Sequence, residues 1–315
     1  MNILITGAAG YLGSNLLKRL IENAKGTWNI IAADIQESSV KHPAVQFIKM
    51  DIRSQEVSQL IKEYNIQTVV HLASIVTPGK KSNREFEYSV DVLGTENLLK
   101  ACTANNVKRI ITTSSGAAYG YHADNPSLLT EEHPIRGNEE FAYSYHKRLV
   151  EELMCKYRKE NPQLQQVIFR IGTILGENTN NQITNLFEKK SLLGIYGSDS
   201  PFVFIWDQDV IECLMKAITG NEVGIFNVAG DGSLSIDEIA AILNKKVIRI
   251  PAWLLTSGLF ILKRLSLTQY GEEQVNFLRY RPVLDNKKLK TEFGYTPKYS
   301  SKEVFQFFLE KKPVN

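Results

Sequence analysis

The chain reads as an α/β protein, a doubly wound parallel sheet that carries a smaller, α-rich C-terminal lobe. Three observations predict this. Short apolar runs alternate with amphipathic helical stretches through the first half. The runs are apolar throughout rather than every second residue, as strands buried on both faces require. A glycine-rich turn separates the first run from the first helix, the context in which such a turn carries meaning.

Taken in order, residues 3–6 form a strand and 12–21 a helix with Leu16, Leu17 and Leu20 on one face. Residues 30–33 and 45–49 are strands, 57–64 a helix and 68–72 a buried strand. A long helix at 90–104 leads to a strand at 109–113, a helix at 141–159 and a strand at 166–170. Repeated β-α-β units imply right-handed crossovers. Beyond Gly172 the pattern loosens, with a short helix near Leu186, a strand at 202–205, a helix at 210–218 and a return strand at 224–228. Ser235 with Glu238 three residues on predicts a capping box. The expected division is 1–172, with the return segment at about 204–230, against 173–203 and 231–315.

Composition narrows the function. A net charge of +3, from 37 basic and 34 acidic residues, leaves no electrostatic footprint for nucleic acid. The pairs Lys80-Lys81 and Lys287-Lys288 read as solvated surface. Cys102, Cys155 and Cys213 are odd in number and widely spaced, which suits structural thiols in a reducing cytoplasm. The N-terminus enters Asn2-Ile3-Leu4-Ile5 without a basic leader, so no signal peptide is expected. The longest apolar run, 252–262, ends at Lys263-Arg264. It falls short of the roughly 18–20 residues that span a bilayer, and is expected to be a helix lining a substrate pocket, with membrane-surface contact as the alternative. His122 and His133 lack ligand spacing and no HExxH occurs, so no metal is expected.

The turn Thr6-Gly7-Ala8-Ala9-Gly10-Tyr11-Leu12-Gly13 opens the first helix. Its glycines permit a sharp turn, close approach to a pyrophosphate and tight helix–strand packing, while the helix N-terminus offers N–H groups to phosphate. A plain tight turn is the alternative. Asp34 ends the second strand, where a carboxylate accepts from ribose hydroxyls and repels a 2′-phosphate. With Ile35, Gln36 and Glu37 following and no arginine, the pattern favours NAD in a Rossmann-type domain. Asp34 as a simple turn former is the competing reading.

Tyr143 and Lys147 are four apart on a predicted helix, so they project from one face. A free phenol titrates near 10, too high for a good base at neutral pH, and a neighbouring ammonium favours the phenolate. Lys147 paired only with Glu151 on the helix surface is the bland alternative.

These features, together with Asp51-Ile52, His71-Leu72-Ala73, Gly94-Thr95-Glu96-Asn97-Leu98-Leu99 and Ser114-Ser115-Gly116-Ala117-Ala118-Tyr119-Gly120 in that order, resemble the extended short-chain dehydrogenase/reductases, the NAD-dependent epimerase/dehydratase group. The resemblance covers about the first 175 residues well and the remainder loosely. It implies a triad in which Ser115 binds the substrate oxygen, Tyr143 moves the proton and Lys147 tunes the tyrosine and holds the ribose. It further implies a homodimer and a cofactor site: Asp51 and Ile52 border the adenine, and Leu72, Ala73, Ser74 and Thr113 the rest of the cofactor. Ser115 capping its own backbone stands as the alternative for that residue.

Departures from the resemblance restrict the chemistry. Dehydratases of the group carry Asp-Glu where this chain has Gly116 and Ala117, so elimination lacks its acid and base. Thr173 replaces an asparagine, Phe202 replaces a basic residue, Asp91 stands for asparagine, and His146 for serine. Thr173 and Arg281 (or Arg279) remain as substrate contacts, the arginine to a diphosphate. The favoured reading is epimerisation of a sugar or nucleotide-sugar. A net alcohol dehydrogenase of the 3β-hydroxysteroid type and an NAD-sensing regulator are the rivals.

Overall fold

Strands that are apolar along their whole length need cover on both sides, and the fold supplies it. A computed structural model describes residues 1–23, 28–76, 83–179, 181–265, 267–268, 271 and 273–311; Lys80 and Lys81 lie outside them. In chain order, β1 (Asn2–Thr6) leads through α1 (Tyr11–Asn23) to β2 (Asn29–Asp34) and β3 (Val45–Lys49). α2 (Glu56–Glu63) precedes β4 (Thr68–His71). Then α3 (Arg84–Tyr88), a π-helical turn (Ser89–Leu93) and α4 (Gly94–Ala104) run on as one stretch to β5 (Arg109–Ser115). A 3-10 turn (Gly116–Tyr119), α5 (Ala142–Glu160) and β6 (Gln165–Ile171) follow.

The second half holds β7 (Thr173–Leu175), α6 (Gln182–Phe187), β8 (Ser191–Ile195), β9 (Phe204–Trp206), α7 (Asp207–Thr219) and β10 (Gly224–Val228). After these come α8 (Ile236–Ile242), β11 (Lys246–Ile250), α9 (Ala252–Arg264), α10 (Glu273–Arg279), α11 (Lys287–Thr291) and α12 (Ser301–Lys311).

Seven strands pair in the order β10-β6-β5-β4-β1-β2-β3, every pair parallel. The chain turns from one direction of winding to the other between β1 and β4, the switch point at which such sheets open a crevice. Successive residues on each strand face opposite sides. Ile3, Ile5, Ile30, Ala32 and Val70 therefore join Leu16, Leu17 and Leu20 of α1 and Val210 and Leu214 of α7 in one core. Leu4, Ile31, Ala33 and Val69 join α2, α4 and α5 through Leu60, Leu98, Leu99 and Met154 in the other. Each such leucine, isoleucine or valine side chain contributes about 1.5–3 kcal/mol by its removal from water.

The lobe differs from the α-rich expectation by two small parallel pairs, β7 with β9 and β8 with β11. The strand expected at 202–205 is displaced to Phe204–Trp206, and Phe202 bridges antiparallel to Leu234 instead. Strands of three to five residues interrupted by Gly194 leave no periodic trace. Phe187, Phe202, Phe204 and Phe305 pack as one aromatic core, with ring centroids 5.2–5.8 Å apart between Phe187 and Phe305 and between Phe202 and Phe204. The helix expected at 90–104 begins six residues earlier, where the Asn83 side chain accepts from Phe86 N–H. The capping box at Ser235 and Glu238 is present.

α9 corrects a second expectation. No residue of it is buried, and most of its large apolar side chains are exposed rather than turned into a pocket. Among the described residues no helix is long and apolar enough to cross a membrane. All three cysteines are free thiols, and burial pushes those of Cys102 and Cys213 up, away from reactivity.

Gly13 fixes α1 against the turn. A Cβ there would stand 2.3 Å from the Gly7 carbonyl oxygen and 2.7 Å from Ala8 Cα. Gly13→Ala is therefore expected to destabilise by about 1–3 kcal/mol, seen as a lower urea midpoint at unchanged slope. An unaltered midpoint would show that the turn yields freely.

Candidate active site

The C-terminal ends of the central strands open onto a cleft of about 1290 Å³, larger than a single small ligand needs. One side is the glycine turn. Gly7 has φ of 71°, and a Cβ on it would meet the Leu72–Ala73 backbone at 2.5–2.6 Å. Only glycine lets the turn lie so close to the end of β4. Gly7, Gly10, Tyr11, Leu12 and Gly13 all line the cleft, as do Leu72, Ser74 and Thr113. Ser74 Oγ is buried with no hydrogen-bond partner among the described residues, a group that a polar ligand would satisfy.

The remaining expected cofactor residues stand outside this wall. Asp34 Oδ2 accepts from Ala9 N–H at 2.9 Å and Oδ1 from Gln36 N–H at 2.9 Å, so the carboxylate is oriented at the turn with lone pairs left over. The Arg53 guanidinium, 2.6 Å away, holds the Asp51 carboxyl below its ordinary range. Ile52 is buried against Gly94. Ala73 offers its backbone to Gly7.

Facing the turn, Ser115, Tyr143 and Lys147 line the same cleft. Tyr143 and Lys147 share the first turns of α5, with Lys147 Nζ 5.6 Å from the centre of the Tyr143 ring. Lys147 Nζ donates to the Thr113 carbonyl at 3.1 Å. Ser115 Oγ accepts from Ala117 N–H at 3.1 Å, capping the 3-10 turn. The backbone-capping reading of Ser115 thus describes half of what it does: a hydroxyl that accepts through one lone pair keeps its O–H to donate into the cleft.

Glu151, the alternative partner of Lys147, is engaged elsewhere. Arg170 Nη2 and Nε meet its Oε2 at 2.7 and 2.9 Å, and Ser114 Oγ donates to its Oε1 at 2.5 Å. Arg170 Nη1 continues to Tyr119 Oη at 2.8 Å, which in turn meets Asn227 Oδ1 at 2.9 Å. All of these groups are buried.

Two departures noted in the sequence meet in space. His146 Nδ1 lies 3.5 Å from Asp91 Oδ2, both buried, with the Tyr88 ring edge-on to the imidazole at 5.7 Å. Asp91 sits in the π-helical turn, and its Oδ1 accepts from Ile75 N–H at 2.9 Å. It thereby ties the segment after β4 to the helix beside the site. His71 is a packed histidine. Thr95 Oγ1 donates to the Asp91 carbonyl at 2.5 Å, so it accepts from His71 Nε2–H at 2.9 Å, and Thr6 Oγ1 donates to His71 Nδ1 at 2.7 Å.

On the lobe side, Thr173 and Arg281 line the cleft, whereas Arg279 lies over the Tyr280 ring. The Arg281 guanidinium sits 3.7 Å from the centre of the Phe202 ring and 4.8 Å from that of Phe277. The aromatic residue at 202 thus becomes a platform for the cation. Arg281 Nη1 reaches Ser200 O only at 3.5 Å, and its buried Nε and Nη2 have no partner among the described residues. Burial pulls its pKa down to about 9.

Sequence reasoning missed the apolar wall of Tyr121, Phe141 and Phe277, whose rings lie 5.2–5.7 Å apart on the cleft lining. It also missed Asp207, which accepts from Tyr11 Oη at 2.6 Å. Burial and that bond push the Tyr11 phenol up.

Comparison with known proteins agrees with this geometry. Residues 3–229 match the model of the NAD dependent epimerase/dehydratase family. A putative UDP-glucose 4-epimerase of Methanocaldococcus jannaschii is 26% identical over 262 residues, 78% of this chain and 82% of that protein. An uncharacterized protein of Mycobacterium tuberculosis is 25% identical over 312 residues, 96% and 82%. The UDP-glucose 4-epimerase of Thermotoga maritima, solved with UDP-glucose, superposes with a TM-score of 0.76 at 19% identity over 99% of this chain and 98% of that one.

Burial, reinforced by Lys147, lowers the His71 pKa to about 4, against about 6.5 in an unfolded chain. Between these values the unfolded state binds the extra proton, so stability falls as pH drops from about 6.5 to about 4. The loss is roughly 3 kcal/mol. Urea unfolding across that interval measures it. His71→Gln should flatten the slope, and a slope unchanged in the variant would place the acid sensitivity elsewhere.

Proposed function

The chain belongs to the NAD-dependent epimerase/dehydratase family, and on that premise we propose that it epimerises a nucleotide-sugar at one carbinol carbon. The observation that carries this reading is a single cleft lined by the glycine turn, by Ser115, Tyr143 and Lys147, and by Arg281, whose Nε and Nη2 have no partner among the described residues.

The residues fit NAD. Gly7, Gly10, Tyr11, Leu12 and Gly13 would hold its pyrophosphate at the start of α1, Asp34 the adenosine ribose, and Asp51 and Ile52 the adenine. Leu72, Ala73, Ser74 and Thr113 would border the remainder, with Lys147 on the second ribose. When bound, NAD supplies the exchange of a hydride with the carbinol carbon. Tyr143 takes the hydroxyl proton and later returns it. Ser115 donates its O–H to the same oxygen. Lys147, fixed by the Thr113 carbonyl, stabilises the phenolate with its charge. Arg281 pairs with the substrate diphosphate, and Thr173 borders the sugar.

Beside Ser115, Gly116 packs on Leu284, 3.3 Å from where a Cβ would stand. Elimination needs an acid and a base, and that apolar contact favours epimerisation over dehydration. Residues 1–172 with the segment at about 204–230 would form the cofactor domain and the rest the substrate lobe. A homodimer in a reducing cytoplasm completes the reading, in keeping with the free thiols. The second reading, net oxidation of a hydrophobic alcohol, is favoured by the Tyr121–Phe141–Phe277 wall.

Mass spectrometry of the nucleotide released on denaturation, followed by assay with UDP-sugars, tests the proposal. Tyr143→Phe is expected to lower turnover by about 10²–10⁴ and leave NAD content unchanged; a variant with near-normal turnover would remove Tyr143 from the chemistry. Steady NADH formation from a hydrophobic alcohol would move the assignment to the dehydrogenase. Arg281→Met should raise KM for a UDP-sugar by about tenfold or more. It should not lower the melting temperature of the free protein, because a buried cation is removed whose Nε and Nη2 have no acceptor among the described residues. An unchanged KM would dissociate Arg281 from the diphosphate.

A further inference from the structure

α9 is built inside out. Trp253 and Leu254 recur seven residues on as Phe260 and Ile261, with Leu265 just past the helix end, all between 49% and 70% exposed. Ala252, Leu255, Thr256 and Leu259, on the opposite face, are the partly covered ones. Surface helices ordinarily turn their apolar stripe inward, and an exposed stripe of this kind marks a contact surface. Ile248 on β11, which feeds the helix, is exposed as well.

The segment that carries this face holds charge of one sign. From Lys245 to Gly271 the sequence holds Lys245, Lys246, Arg249, Lys263 and Arg264 and no carboxylate. Arg249 is paired with Asp237, and Lys245 donates to the Phe187 carbonyl. Lys246 and Arg264 are exposed. A tryptophan at one end and an exposed arginine at the other suit a helix lying in a bilayer interface. The indole settles at headgroup level, and the long cations keep their stems in apolar surroundings while their heads reach phosphate. At 13 residues the helix is about 20 Å long, suited to lying flat and too short to span.

We propose that α9 docks the chain on an anionic lipid surface. Lys263, Leu267 and Thr268, at and just beyond its C-terminal end, line the cleft, so docking brings the mouth of the cleft beside the bilayer. Two copies meeting through the same face would add cation to cation, with no carboxylate of this segment to answer them.

Flotation of the full chain with phosphatidylcholine vesicles, with and without phosphatidylglycerol, tests this. Binding is expected to be about tenfold or more stronger to the anionic vesicles, to weaken with salt, and to bring a blue shift in tryptophan emission. The double variant Phe260→Glu/Ile261→Glu, exposed in the folded protein, should lose flotation while keeping its NAD content. No flotation, or equal binding to neutral vesicles, would overturn the proposal. So would a dimer mass in light scattering that the double variant abolishes without any flotation, since a second copy would then be the occupant. None of these outcomes depends on Tyr143, so docking and the catalytic reading stand or fall separately.

Discussion

Arg170 and Glu151 meet at 2.7 Å beneath the ends of β5 and β6, with both side chains almost wholly removed from water. Neither charge tolerates that environment alone, and deleting one partner of such a pair costs about 3–5 kcal/mol. The constraint reaches further than the pair. Glu151 lies one turn along α5 from Lys147, and Ser114, its other partner, is the residue before Ser115. Pairing Glu151 to β5 and β6 at once sets the register of α5 against the sheet. That register brings Tyr143 and Lys147 to the same cleft as Ser115. Tyr119 and Asn227 extend the network to the 3-10 turn and to β10, so this side of the cleft is held from several directions by groups that have no other way to be satisfied.

The first half was legible in the sequence because its strands and helices are each dictated locally. β3 and β10 fall where their apolar runs stand, and the other strand ends differ by a residue or two. The glycine turn is equally local, since Gly7 and Gly13 answer to contacts within the turn and with the neighbouring strand end. The lobe resisted for the opposite reason. β7, β8, β9 and β11 are too short to show a period and exist because they pair across long separations. The apolar wall draws residues from positions 121, 141 and 277, which no spacing rule connects. α9 was misread because apolar content was equated with burial, whereas its apolar stripe faces outward.

The departures from the family pattern make more sense together than apart. Asp91 and His146 are unusual singly, yet they lie opposite one another in the interior. Phe202, where a basic residue is customary, stacks under Arg281, which brings a guanidinium to the cleft from a different part of the chain. In both places a change at one position is matched by a residue that gives it a physical role.

The buried Nε and Nη2 of Arg281 have no acceptor among the described residues. An anion that binds there stabilises the native fold by mass action, increasingly so as its concentration rises above its dissociation constant. Since proteases attack the transiently open chain, the lifetime of this protein in a cell would lengthen with the supply of that anion. Abundance would then follow demand without any change in gene expression.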